Sequence, residues 1–405
     1  MAPFAEAMSP LCALLTENRA PRTTEAGVFE GLVPYTYHVD AGLLARYLKD
    51  YCTTVGVEHV LDDVLDVTRD ERGFVSALEL ERRGTFPVEF VVDCSGFRGI
   101  VLKKALAEPF VSYSDLLPCD RALALQVPHR DGAKLPPYTT ATALASGWSW
   151  SVPLYSRIGT GYVYSSNHVS DDEAVAELRS HVGREADDAE PAFIRMNVGR
   201  AQRSWVNNCV AVGLAGGFIE PLESTSIHFV QMSLRWFLDN FPDRDCSPPL
   251  RDKYNALVGE CYENIRDFIA MHYILSNRSD TDFWQFAHHD LKAPDRLREN
   301  LALWRYKLPS ATDCPNQLSL FREWSYIYVL YGKKYFDDVT FPIEDALSDD
   351  DFETFSRWVE QQRTELLSIA PDHRELLTQL RQMPTNPWYR PAGAREVQPT
   401  PVGLL

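Results

Sequence analysis

The sequence lacks a basic stripe, paired cysteines, a membrane-length apolar run and every common nucleotide or hydrolase motif. Each absence narrows what the protein does. Its 40 Lys and Arg are set against 57 Asp and Glu, a net charge of −17 over 405 residues. That balance argues against nucleic acid or an anionic membrane surface as a partner. The eight cysteines, at positions 12, 52, 94, 119, 209, 246, 261 and 314, include no C-x-x-C pair. A chain this long needs no disulfide framework, so the thiols read as reduced and mostly buried. No basic n-region with an apolar h-region opens the chain, and no segment is long and apolar enough to span a bilayer, so a soluble cytoplasmic protein is expected. G-x-G-x-x-G, Walker, G-x-S-x-G and H-E-x-x-H motifs are all missing. Gly159-Thr160-Gly161 lacks the third glycine and lies among strand candidates. Internal repeats are absent as well.

What is present suits a large core. The chain is 45% hydrophobic and 12% aromatic, enough for two or three domains or one α/β unit with insertions. Five segments are expected. Residues 1–105 form an α/β layer with a β-meander: a helix over Phe4–Leu15, strand-like Val33–His38, and a helix from the Asp40 cap through Tyr51. Strands then follow at Val57–Val60, Val64–Val67, Phe74–Leu80 and Phe86–Asp93. Residues 106–206 form an antiparallel sheet, with candidates Leu123–Val127, Ala141–Ala145, Trp148–Val152 and Gly161–Ser165 and one helix, Asp171–Val182. Residues 207–250 make a strand, turn and helix. Residues 251–383 are helical, over Tyr254–Ile274, Pro294–Lys307, Leu318–Tyr331 and Asp351–Ser368, and residues 384–405 are a Pro-rich tail.

The chemistry concentrates at Cys209–Ile227, C-V-A-V-G-L-A-G-G-F-I-E-P-L-E-S-T-S-I. An apolar strand runs into a turn where Gly213, Gly216 and Gly217 allow backbone to approach a flat ligand. Glu223 then stands before a helix whose apolar series is Ile227, Val230, Leu234, Phe237, Leu238 and Phe241. Ser224 or Thr225 can cap it, and its first amides form a positive pocket for an anion. A plainer reading is an ordinary capped helix start, but such a start has no need of the glycine-rich strand before it. In G-W-S-W-S-V-P (147–153), Trp148 and Trp150 share one face of a strand. They are either core or a flat apolar wall that keeps water from a reactive species. His38 and Asp40 read as structural, His228 as packed or surface, and His288-His289 as loop residues. No metal site is expected.

Together with Y-H-V-D-A-G-L-L-A-R-Y-L (37–48), D-C-S-G-F-R-G (93–99) and H-Y-I-L-S-N-R-S-D-T-D-F-W (272–284), these elements resemble the flavin-dependent tryptophan halogenase family. The likeness runs in order over roughly Phe4 to Phe283. It implies a flavin monooxygenase-like fold that uses reduced FAD from a separate flavin reductase, with O2 and chloride or bromide. The hypohalous acid so formed travels to a small aromatic substrate. By the resemblance, Glu223 is the catalytic glutamate and the amides of Thr225 and Ser226 hold the halide. Gly213, Leu214, Ile227 and Val64 line the cofactor, and Trp148, Trp150 and Pro153 wall the tunnel.

Two departures from the family matter. The strand, G-x-G-x-x-G turn, helix and catalytic lysine that open the family have no counterpart, and Lys103 and Lys104 do not replace that lysine. The first βαβ unit is therefore expected to be absent and FAD to bind poorly. Either the gene start was assigned late, which the intact Glu223 cluster favours, or the chain is a truncated remnant. In addition, Leu318–Tyr326 does not reproduce the family's tryptophan-binding residues, which leaves an indole, phenol or pyrrole substrate open. A halide-independent flavin hydroxylase and a non-catalytic remnant are the alternatives. Oligomer formation is left open.

Overall fold

The computed structural model describes residues 3–27, 29–314 and 320–383. Its first helical run breaks at Ser9-Pro10 into α1 (Phe4–Met8) and α2 (Leu11–Thr16), because proline cannot supply the amide a continuous helix needs. The expected strands at 33–38 and 57–60 do not form. α3 (Ala41–Thr54) does, and Asp40 accepts from the Leu43 amide at 3.1 Å as its cap. Next comes an antiparallel ribbon of β1 (Val64–Arg69), β2 (Val75–Leu80) and β3 (Gly84–Pro87). The expected strand 86–93 is split, since β3 ends at Pro87 and residues 88–90 are irregular before β4 (Val91–Asp93) begins.

After β5 (Phe110–Ser112) come β6 (Arg121–Val127), β7 (Thr140–Leu144), β8 (Gly147–Pro153) and β9 (Ile158–Tyr164). With β10 (Ala192–Arg195) these last four form an antiparallel sheet in the order β10-β6-β9-β8-β7. Helix α4 (Asp171–Val182) starts at a Ser170–Glu173 capping box and covers one face through Ala174 and Leu178. The other face, with Ala122, Trp148 and Val163, joins the main core. β11 (Gly199–Ala201), β12 (Trp205–Val206), β13 (Cys209–Ala211) and β14 (Gly217–Phe218) return the chain to the first layer. Among the described strands, parallel pairing is confined to β4 with β13, so the mixed α/β architecture is mostly antiparallel.

Helix α5 (Ser226–Asp239) buries Phe229, Ser233, Trp236 and Phe237. The series expected from the sequence is therefore corrected, because Ile227, Leu234, Leu238 and Phe241 are exposed. The helix carries two apolar stripes, and the bulkier aromatic one packs. The core helix is α6 (Pro248–Ile274), with proline in its first turn where no amide partner is lost.

Then follow α7 (Asp282–His289), α8 (Asp295–Leu303), α9 (Glu323–Gly332), α10 (Asp349–Ile369) and α11 (His373–Gln382). His288 and His289 thus end a helix rather than lying in a loop. The tail expected over 384–405 lies outside the described residues, as do Leu318 and Ser319. No helix of the described residues is long and apolar enough to cross a membrane.

Candidate active site

The site is assembled where β4 and β13 end side by side. The buried Asp93 carboxylate closes β4 by accepting from the Ser95 amide and hydroxyl and from the amides of Val101 and Leu102, at 2.6 to 3.0 Å. These bonds fold D-C-S-G-F-R-G back under the sheet. On the neighbouring strand the Val212 amide bonds the Asp93 carbonyl at 3.1 Å. The chain then turns at Gly213, whose φ of 65° lies in the left-handed region that a side chain disfavours. A cavity of about 220 Å³ opens beside this turn, lined by Gly213, Leu214, Phe218, Ile219, Thr225, Ser226 and Ile227, among others. Leu214 and Ile227 stand at its exposed lip. The turn, the helix start and five of the sequence-predicted residues (Gly213, Leu214, Thr225, Ser226 and Ile227) therefore meet in one place.

Val64 does not join them. It begins β1 in the ribbon and is not among the cavity's lining residues.

The loop from Glu220 to Thr225 carries the polar groups. Ser224 adopts φ 54° and its amide bonds the Pro221 carbonyl at 3.0 Å, a strained turn for a residue with a Cβ. The expected hydroxyl cap is corrected here, since neither Ser224 nor Thr225 makes a side-chain cap bond. Among the described residues the Thr225 and Ser226 amides have no protein acceptor. Two open donors at the positive end of a fourteen-residue helix suit a small anion.

Glu223 reaches the core helix. Its Oε1 lies 3.0 Å from His272 Nε2, while His272 Nδ1 lies 2.9 Å from the Phe268 carbonyl. A carbonyl can only accept, so Nδ1 carries a proton, and Nε2 is the ring atom that faces the Glu223 carboxyl group. His272 was not singled out from the sequence. Its only signal there is that it opens the H-Y-I-L-S segment.

Trp148 and Trp150 share a face of β8, with ring centroids 6.1 Å apart, but their planes are inclined by 59°, so the expected flat wall is corrected to a corner. Both pack in the main core. Gly161, opposite Trp150 in register, leaves the space its ring fills: a Cβ there would come within 2.1 Å of the indole. Pro153 ends the strand, buried, and its carbonyl meets His38 Nδ1 at 3.1 Å.

Trp148 Nε1 donates to Glu220 Oε2 at 2.7 Å, and the Tyr273 hydroxyl donates to the same oxygen at 2.6 Å. Glu220 is fully buried, and burial pushes its carboxyl up to about 7. It too went unremarked in the sequence, although E-P-L-E places it three residues before Glu223. Lys103, set aside there, reaches the Leu214 carbonyl at 3.3 Å beside the cavity, and burial pulls its amine down.

Comparison with known proteins identifies the family. The family model described as tryptophan halogenase matches residues 2–349. The tryptophan 6-halogenase SttH of Streptomyces toxytricini is 44% identical over 303 residues, 74% of this chain and 57% of the relative. A 7-chloro-L-tryptophan 6-halogenase of Kutzneria is 43% identical over 322 residues, 78% of this chain and 61% of the relative. This chain thus spans about three-fifths of the length of these curated relatives. The solved structure of a tryptophan C-6 flavin-dependent halogenase from taromycin biosynthesis superposes with a TM-score of 0.88 at 36% identity, covering 93% of this chain and 77% of that one. A family model over most of the chain, close relatives and a matching fold converge: this chain belongs to the flavin-dependent tryptophan halogenase family.

Proposed function

We propose that the protein takes part in halogenating an aromatic ring of the indole, phenol or pyrrole type, using reduced FAD from a separate reductase, O2 and chloride or bromide. One observation carries the reading: the Thr225 and Ser226 amides, unpartnered among the described residues, belong to the lining of a cavity, and Glu223, two residues before them, faces a histidine at 3.0 Å. The relatives named for acting on tryptophan favour an indole.

The cavity suits the edge of a flavin ring. It is predominantly apolar, bounded by the Gly213 turn, and flanked by Leu214, Phe218 and Ile227. Bound there, reduced FAD would supply, with O2 and halide, the electrophilic halogen. The Thr225 and Ser226 amides would hold the halide by charge–dipole attraction and directed hydrogen bonds.

Replacing an aromatic hydrogen by halogen releases a proton. Glu223 would receive it at one carboxylate oxygen, the other lying 3.0 Å from His272 Nε2. Trp148, whose indole donates to Glu220 of this loop, and Trp150 beside it would exclude water along the way. Val64 is proposed to contact the cofactor away from this cavity.

The test is turnover with reductase, FAD, bromide and a panel of indoles, run beside Glu223→Gln. The variant is expected to lose at least ~10²-fold in turnover, the usual scale for removing a general base. A bromide soak should still give anomalous density at the Thr225 and Ser226 amides. Unchanged turnover in the variant would remove Glu223 from the reaction.

A further inference from the structure

The loop that carries Glu223 touches α6 twice, at consecutive residues. Glu223 meets His272 at 3.0 Å and Glu220 meets Tyr273 at 2.6 Å. The second contact also takes in the wall, because the Trp148 indole N–H donates to the oxygen that Tyr273 occupies. Behind Tyr273, Cys119 Sγ lies 3.3 Å from the phenol oxygen. With that oxygen's proton committed to Glu220, the thiol is the donor. Every member of this chain of groups is buried, and Glu220 has no exposed surface at all.

We propose that Glu220 is a positioning residue: its carboxyl group fixes the Trp148 indole by the ring N–H and, through Tyr273, sets the height of the Glu223 loop against α6. The argument is one of hydrogen-bond supply. A buried indole N–H or phenol O–H needs an acceptor, and losing one costs more than an ordinary hydrogen bond returns. Glu220 Oε2 serves both donors, whereas Oε1 has no partner among the described residues. A carboxyl kept so far from water, with one bare oxygen, serves as a fixed acceptor between layers rather than as a surface charge. Burial favours its neutral form, which a glutamine amide imitates in shape and in its accepting oxygen. The functional part of this inference rests on the proposed role of Trp148 as a wall of the reaction chamber; the structural part does not.

The test is the indole N–H spectrum of ¹⁵N-labelled full chain, with the Trp148 resonance assigned by its loss in Trp148→Phe. In Glu220→Leu the Trp148 resonance should leave its wild-type position and broaden. In Glu220→Gln it should stay, because the amide oxygen still accepts. A Trp148 resonance that does not move in Glu220→Leu overturns the proposal. Should that variant fail to fold, Glu220→Asp, one methylene shorter, decides in the same way: a shifted resonance supports it and an unmoved one overturns it.

This readout needs neither flavin nor halide, so failure of the halogenation reading leaves it intact. Where halogenation is observed, the fraction of reduced flavin converted to halogenated product should fall in the Leu or Asp variant and recover in the Gln variant. A fall without recovery, accompanied by an unmoved Trp148 signal, would mark a merely structural carboxyl.

Discussion

Helices α3 and α6 are both amphipathic, yet they have opposite fates. α6 buries residues along its whole length, from Tyr254 through Tyr262, Ile265 and Phe268 to Tyr273, and forms the backbone of the main core. α3 carries Leu43, Tyr47, Leu48 and Tyr51 and buries none of its fourteen residues. A stripe of apolar residues states which face a helix can bury. Whether that face is covered depends on what packs against it, and only the three-dimensional arrangement supplies that.

The comparison can be broken first at Phe268. Its ring stacks on Phe321 at 3.8 Å and meets Tyr326 edge-on, all three buried. Phe268→Ala should cost about 3–5 kcal/mol in denaturant unfolding, as large-to-small changes in well-packed cores do. A loss near that of a surface change would mean that α6 is not the keystone described.

A second measurement sharpens the contrast inside the packed region. The Glu220 carboxyl is raised by burial from 4.5 to about 7 in the folded protein. Between those values the folded state holds a proton that the unfolded chain has released, so stability should fall as pH rises from about 4.5 through about 7. Glu220→Gln should flatten that slope. A slope of the same size in the variant would assign it to other groups.

The smallest effect belongs to α3. Leu43→Gln and Tyr47→Gln should each change stability by no more than about 0.5 kcal/mol, as at ordinary surface positions. A core-sized loss there would show that this face is covered in solution.

The same contrast explains what the sequence made legible. The Asp40 cap, the strands around Trp148 and the helix Asp171–Val182 follow from local chemistry, and they form where the chain's own spacing places them. The Cys209–Ile227 segment was legible for a related reason, since glycines, a carboxylate and a helix start lie in one stretch of chain. His272 and Glu220 were not. Their meaning comes from contacts across about fifty residues of sequence, Glu223 with His272 and Glu220 with Tyr273, and nothing in the residues' immediate neighbours announces those pairs. The exposed stripe of α5 was misassigned because two apolar series of similar length share that helix, and only tertiary packing, against α6, Phe90 and Trp205, selects between them. The split of 86–93 had no local signal beyond Pro87.

Asn208 lies between β12 and β13. Its side-chain oxygen accepts from the Val75 amide at 2.8 Å, its side-chain nitrogen donates to the carbonyls of Val75 and Glu89 at 2.8 and 2.9 Å, and its own carbonyl accepts from the Val91 amide at 2.9 Å. One amide side chain thus rivets the hairpin ribbon to the strands whose ends build the cavity. Four bonds of one residue join β2, the Glu89–Val91 run and the entry to β13, so the ribbon cannot part from the strand that leads to Gly213 without leaving buried amides and carbonyls bare.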